Sequence, residues 1–503
     1  MIMKMQIKLS YMVAGLLLAS MAAGCGDDKN LYIPPALDEL EPENPKDDVY
    51  NEISFTPHVE GQPYDSYKGL VMAGYQGWFG TPGDGCPHAD HSNTAWYHYR
   101  ESNVFKPGVL NNSIDFWPDV SEYPVKYDVP DFKYPDGTTA QVYSAYDESS
   151  VLLHFKWMQE AGIDGVFMQR FVGEVINNPD GKAHFDHVLE HAMKGSNQYQ
   201  RAIAVMYDLG GYNTKDPNSA TGTSALLADL AELESKYHFT NRDAGQKFYL
   251  YHNGKPLIAL WGVGFPDKES SYGITDIDAL VDQVKGMGFS VMLGVPTYWR
   301  SGINDAISDP MLKEVIKKAD VIMPWFVGRY SMDNYSSFHT LISDDINWCR
   351  NEGVDYAPLC LPGSSDLHMH PNNGRQPRLG GKFFWSQLHY CIKAGAEMIY
   401  VAMFDEIDEG TAIFKCLNES KTPSNVPAED YWVLYRGGNY YKRTSDYTGD
   451  LGPNDWCRKA SEMNIPFYGI EDDLPTDHYL WLTGQARKML NAEIPMTETL
   501  PER

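Results

Sequence analysis

The chain has 503 residues, 43% of them apolar, and 41 Lys+Arg stand against 68 Asp+Glu for a formal charge of −27. That length and apolar content exclude a disordered, collagen-like or low-complexity chain, and they allow one large α/β barrel or two to three smaller domains. The negative balance argues against nucleic acid and against adsorption to anionic membranes, and no interior apolar run reaches the roughly 20 residues of a membrane span.

Lys4 and Lys8 precede an apolar stretch, Tyr11–Ala23, which runs into Ala22-Ala23-Gly24-Cys25. This is the shape of a secretory leader. A Cys directly after small residues resembles a bacterial lipoprotein processing site, so residues 1–24 are expected to leave as a signal peptide. The Cys25 thiol would then carry the lipid. The next residues, Gly26-Asp27-Asp28-Lys29, resemble the surface-export tag of Bacteroidetes lipoproteins. The expectation is an outer-membrane lipoprotein that meets the membrane only through its lipid and faces the cell exterior, with a periplasmic orientation as the alternative. An ordinary secretory leader with an incidental Cys is the blander reading. Residues 25–52 are rich in Pro, Asp and Glu and read as a flexible tether.

Short apolar runs then recur, with helical patterns between them. Strands are expected at Leu70–Phe79, Gly165–Phe171, Ile203–Leu209, Pro256–Gly262, Ser290–Pro296, Ala319–Phe326, Asp355–Gly363 and Met398–Phe404. Their runs are continuous rather than alternating, which suits strands buried on both faces of a parallel sheet. Helix periodicity appears in Val151, Phe155 and Met158, in Leu226, Leu230 and Leu233, and in Ile277, Leu280, Val281 and Val284. Asp309-Pro310 sets an N-cap followed by Pro at the first helical position.

Eight strands, each followed by a helix, is the count of a single (β/α)₈ TIM barrel. An open doubly wound sheet is the alternative, but its Gly-rich phosphate turn is missing. Residues 80–146 are too long for a βα loop and are expected to form an insertion on the catalytic face. A C-terminal extension follows Lys415 as loops and a last amphipathic stretch, Asp477–Leu490. The domain is thus expected over 53–490, with 491–503 as a tail. The six Cys other than Cys25 are widely spaced and leave their pairing open.

In such a barrel the reactive groups lie just past the C-terminal ends of the strands. Those eight places are rich in aromatic, Arg and carboxylate side chains. Tyr75, Trp78, Arg170, Asp208, Trp261, Tyr298 and Trp325 are the candidate substrate contacts. The aromatic rings would stack on sugars, and Arg170 and Asp208 would hold hydroxyls. For each ring a core position is about as frequent, for Arg170 the rival role is a structural salt bridge, and for Asp208 a cap. His154 lies on a helix face and is expected to be packed. The spacing of Cys86, His88, Asp90 and His91 matches no standard zinc pattern, so no metal and no cofactor is expected.

The sharpest local feature is Asp405-Glu406-Ile407-Asp408-Glu409, four carboxylates in five residues at the end of the eighth strand. Crowded like charges raise one another's pKa, which keeps one carboxyl protonated as an acid beside a neighbour acting as a base. Glycoside cleavage needs that division of labour. Both carboxylates of an acid–base pair are expected to open into one cleft.

The run from Phe404 to Ile413 resembles the catalytic signature of glycoside hydrolase family 99, the endo-α-mannosidases: an aromatic residue, Asn, Glu, Trp, His, Glu, Gly, Thr, a variable residue, Ile. Both Glu and the Gly-Thr match. Gly74–Gly80, Asp115–Tyr123, His154–Met158, Gly162–Val166 and Pro324–Tyr330 resemble a related Bacteroidetes group, described as family 71/99-like and sometimes labelled xylosidase/arabinosidase. The resemblance to that group spans about residues 55–490. It implies a general base at Glu406 and a general acid at Glu409. It also implies a retaining reaction in which the sugar's own 2-hydroxyl attacks and forms an epoxide-like intermediate. Asp405, Ile407 and Asp408 depart from the pattern and leave the sugar open. The expected activity is hydrolysis of a neutral poly- or oligosaccharide, with endo attack on an α-mannan-type glycan as the first candidate, beside other surface glycan-uptake proteins. The alternatives are an arabinosidase or xylosidase, and a glycan-binding lipoprotein without turnover.

Overall fold

The computed structural model describes residues 49–87, 95–100 and 105–503. The leader, Cys25, nearly all of the tether, and His88, Asp90 and His91 lie outside the described residues.

Eight parallel strands form the core, near the expected positions. They are β1 (Val71–Tyr75), β2 (Gly165–Phe171), β3 (Ala202–Asp208), β4 (Lys255–Trp261), β5 (Ser290–Pro296), β6 (Val321–Trp325), β7 (residues 355–360) and β8 (Ile399–Val401). β7 is in two pieces. Asp355–Tyr356 pairs with β6, and Leu359–Cys360 pairs with β8. Pro358 stands between them and has no N–H to give to a ladder. Its carbonyl still accepts from Tyr400 N at 3.0 Å, so the sheet closes on itself. β1 completes the ring between β8 and β2.

Each strand is followed by a helix: α1 (Glu148–Ala161), α2 (Pro179–Tyr199), α3 (Thr223–Tyr237), α4 (Ile274–Gly286), α5 (Met311–Lys318), α6 (His339–Glu352), α7 (Lys382–Lys393) and α8 (His478–Leu490). The apolar faces read from the sequence are the buried faces of α1, α3 and α4. Asp309 caps α5 through Met311 N at 2.8 Å, although the helix begins one residue after the expected Pro. Asn178 caps α2, with Pro179 at the first position. The fold is the expected single (β/α)₈ barrel.

The insertion between β1 and α1 contains an antiparallel hairpin, Tyr127–Lys133 against Thr139–Val142. The C-terminal extension holds more than the expected loops. It contains a three-stranded antiparallel sheet, β9 (Trp432–Arg436), β10 (Asn439–Arg443) and β11 (Trp456–Lys459), with β9 central. The Gly437-Gly438 step between two aromatic runs is the signal that could have found it. Val433 of this sheet packs on Val109 and Leu110 of the insertion. The tail folds back, and Trp385 donates to the Thr497 carbonyl at 3.0 Å. No disulfide forms among the described residues. The nearest thiols, Cys360 and Cys391, have sulfurs 4.0 Å apart.

Candidate active site

The chain leaves β8 into a loop whose two ends are stitched together. Met403 N donates to the Thr411 carbonyl at 3.1 Å, and Ile413 N donates back to Met403 at 3.0 Å. Within it, Thr411 N and Ala412 N both donate to the Glu406 carbonyl. Gly410 has φ +65°, and a Cβ there would lie 2.8 Å from Ser365 N, so only glycine suits this turn. Buried Arg378 holds the far side, donating to the Gly410 and Ala412 carbonyls at 3.0 and 2.7 Å.

The insertion braces the same loop. Asp115 N and Phe116 N donate to the Ile407 carbonyl. The buried Asp115 carboxylate accepts from Ser365 Oγ and from the amides of Leu367 and His368. Ser365 N in turn donates to the Glu409 carbonyl at 2.8 Å. This explains why the Asp115-Phe116-Trp117 segment stood out in the sequence.

Glu406 is 1% exposed. Gln76 Nε2 donates to one of its oxygens and Thr411 Oγ1 to the other. The expected open cleft does not reach this carboxyl, which is enclosed by its own hydrogen-bond partners. Glu409, three residues on, is partly exposed. Asp405 is fully buried and accepts from Gln76 N at 2.8 Å and Gly77 N at 2.9 Å, so it fastens the end of β1 to the end of β8. Gln76 and Thr411, the two residues that hold Glu406, lie at predicted strand ends but are not among the candidate site residues read from the sequence. Their positions, a polar residue two before Trp78 and a Thr five after Glu406, are the only signal the sequence offers for them.

Burial pushes the Asp405 carboxyl up to about 7, against the pull of its two amide donors. Burial and then the nearby Asp408 carboxylate push Glu406 up to about 8, against Thr411 and Gln76. Folding therefore favours the protonated forms. The stability these two groups contribute is whole below about pH 4 and is lost as pH rises toward 8. Replacing Asp408 with Asn is expected to weaken that loss and to move the acid limb of kcat/KM to lower pH. Thermal unfolding and initial rates across pH 4–9 check this; an acid limb left in place would remove Asp408 from the tuning of Glu406.

Strand alternation sorts the candidate substrate contacts. In a parallel ladder, paired residues point to the same face. Phe171, Asp208, Trp261 and Gly294 are paired in one row across β2 to β5. A Cβ on Gly294 would lie 2.4 Å from Trp261 Cδ1, so the indole occupies the space above this glycine. Trp261 meets Trp325 edge to face at 5.1 Å. Phe171 stacks on Trp78 at 5.2 Å. His98 covers the other side of Trp78 at 3.8 Å and 4°. His98 Nδ1 lies 3.2 Å from Asp408 Oδ2. A continuous arc thus runs from Asp408 through His98, Trp78, Phe171, Asp208 and Trp261 to Trp325. Burial raises the Asp208 carboxyl to about 6, although Gly210 N donates to it.

Three expectations need correction. Tyr75 is fully buried, its hydroxyl is hydrogen-bonded to His154 Nδ1 at 2.8 Å and its ring stacks on Phe404, so it is packing between β1 and α1. Arg170 alternates with Gln169 and points to the helices, where Asp229 and Asp186 hold its guanidinium. Trp78 has both ring faces covered, which leaves no face for a sugar. His154, as expected, is packed, between the hydroxyls of Tyr75 and Tyr123. Tyr298 is half-buried and its N–H donates to Asp305 at 3.1 Å. Among the described residues no cluster of three or more His, Cys, Asp or Glu could hold a metal.

Fold and site together define a (β/α)₈ barrel with its acidic residues at the strand C-termini, the arrangement of a barrel glycosidase. No protein-family model matches the chain. Over 417 residues it is 22% identical to the glycoprotein endo-α-1,2-mannosidase of Rattus norvegicus, covering 81% of this chain and 78% of that protein. To the Mus musculus protein of the same name it is 23% identical over 300 residues, 58% of each chain. The structure of the family 99 endo-α-mannosidase from Bacteroides thetaiotaomicron superposes with a TM-score of 0.51 at 13% identity, over 84% of this chain and 98% of that one. That enzyme in complex with bis-tris-propane gives 0.52 at 13% identity, over 84% and 97%. The chain is glycoside hydrolase family 99-like, with the (β/α)₈ fold of that family.

Proposed function

We propose that this protein is a retaining glycoside hydrolase that cleaves α-mannan-type glycans from within the chain. Glu406 is the base. It takes the proton of the sugar's 2-hydroxyl, whose oxygen attacks the anomeric carbon while Glu409 gives a proton to the departing glycosidic oxygen. Water then opens the epoxide-like intermediate, losing its proton to Glu409, and Glu406 returns a proton to the 2-oxygen. Two inversions leave the configuration unchanged.

The observation that carries this reading is the setting of Glu406. It is buried at the end of β8, gripped on both oxygens by Gln76 and Thr411, with Glu409 three residues away in the same braced loop. A base with a pKa raised toward the working pH is the stronger proton acceptor. Asp208, Trp261 and Trp325 line the neighbouring arc, and the indole nitrogen of Trp261 and the Oε1 of Gln169 are buried without a partner. Buried polar groups left open beside a site suit sugar hydroxyls.

The test is a panel of α- and β-linked glycans offered to residues 26–503, with products sized and their anomers read by NMR. Oligosaccharides of retained configuration are expected first. Glu409→Gln should slow glycans by about 10²–10⁴-fold, yet spare substrates whose leaving group needs no proton. Binding without turnover on every recognised glycan would instead favour a glycan-binding barrel.

A further inference from the structure

The C-terminal sheet carries a charge pattern unlike the rest of the chain. Of its 14 strand residues, five are Lys or Arg, five are aromatic and none is acidic. This stands in a protein of net charge −27. On β9, Trp432 is paired with Arg443 of β10 on one side and with Lys459 of β11 on the other. Paired residues share a face, so cation, indole and cation form one row across the sheet. Lys459 Nζ lies 5.7 Å from the Trp432 ring. The next row on that face is Tyr441, Leu434 and Cys457, with Tyr441 49% exposed at the edge and Leu434 buried at the centre. Val433 turns the opposite face onto the insertion. Among the described residues no ion pair joins Arg443 or Lys459 to a carboxylate, although Asp430 lies near enough to Lys459 to feel its charge and Arg443 donates to the Ser445 carbonyl at 3.3 Å. The sheet's one such pair joins Arg436 and Asp455 at 4.0 Å, at its far end.

We propose that this row is a second carbohydrate site, which binds an acidic polysaccharide carrying a uronate, sulfate or phosphate on alternate sugars. Arg443 and Lys459 stand two strand spacings apart, roughly 9.5 Å, which is about the length of two linked sugar rings. A chain crossing the strands brings one acidic group to each cation and sets the sugar between them on Trp432. The rest of the surface repels a polyanion, so binding is local and falls steeply with salt. That the ligand is a polysaccharide rests on the glycosidase reading; the charge pattern does not.

The test is native electrophoresis of residues 26–503 through gels containing chondroitin sulfate, neutral mannan or no polymer. Retardation by chondroitin sulfate is expected, reversed by added salt. Arg443→Gln with Lys459→Gln should weaken it roughly tenfold, and so should Trp432→Ala, with thermal unfolding and hydrolysis of a short neutral substrate unchanged. Free migration in chondroitin sulfate, or retardation that survives the double variant, overturns the proposal. Equal binding of a single-stranded DNA oligonucleotide also overturns it, in favour of a general polyanion surface. The outcomes separate from those above: mannan cleavage with free migration removes only this site, and retardation without any turnover removes only the hydrolase.

Discussion

Glu406→Gln is expected to lower kcat by about 10²–10⁴-fold while the protein still folds and still binds glycan. The amide is the same size as the carboxyl and can keep hydrogen bonds to Thr411 and Gln76 after rotation. It cannot take a proton. Because burial and Asp408 raise the native carboxyl, the amide also removes a group that opposes folding above neutral pH. The variant should therefore be as stable as the parent, or more so, at pH 8. Rates on the best glycan, with thermal unfolding at pH 5 and pH 8, check both halves. Full activity in Glu406→Gln would end the assignment of the base. Lost activity with lost folding would be resolved by Glu406→Asp, which keeps the charge but withdraws it from the sugar.

Asp229→Ala is expected to cost about 3–5 kcal/mol of stability. Arg170 is 2% exposed and reaches Asp229 through two nitrogens, at 2.6 and 2.5 Å. Tyr207 Oη gives the same carboxylate a third hydrogen bond at 2.7 Å. Truncating Asp229 leaves a buried guanidinium facing only the part-exposed Asp186 and leaves the Tyr207 hydroxyl without its acceptor. Replacing the pair together, with Arg170→Met and Asp229→Leu, is expected to recover most of the loss, since the desolvation cost leaves with the charges. The urea midpoint is the measurement. A loss below about 1 kcal/mol would mean that Arg170 is not held there, and its role toward substrate would return.

The barrel was legible because its physics is repetitive. A strand buried on both faces must be continuously apolar, and a helix laid on it must be apolar every third or fourth residue. The proposed acid–base pair was legible because four acids in five residues have few places in a barrel. The companions of those acids were not. Gln76 and Thr411 are ordinary polar residues in sequence and stand out only by what they touch. Arg170 was misjudged for a related reason: a strand end offers two faces, and one residue of register decides between the substrate and a helix.

The sequence by itself determined the eightfold alternation of strand and helix and the strand end that carries Glu406 and Glu409, since local patterning of apolar and acidic residues is enough to specify both. Only the tertiary structure decided which strand-end side chains enter the mouth. It brought His98 to Asp408 across 310 residues of chain and gathered the cations of β10 and β11 around Trp432. Those contacts depend on register and on closure of the ring, and neither is written in any one stretch of the chain.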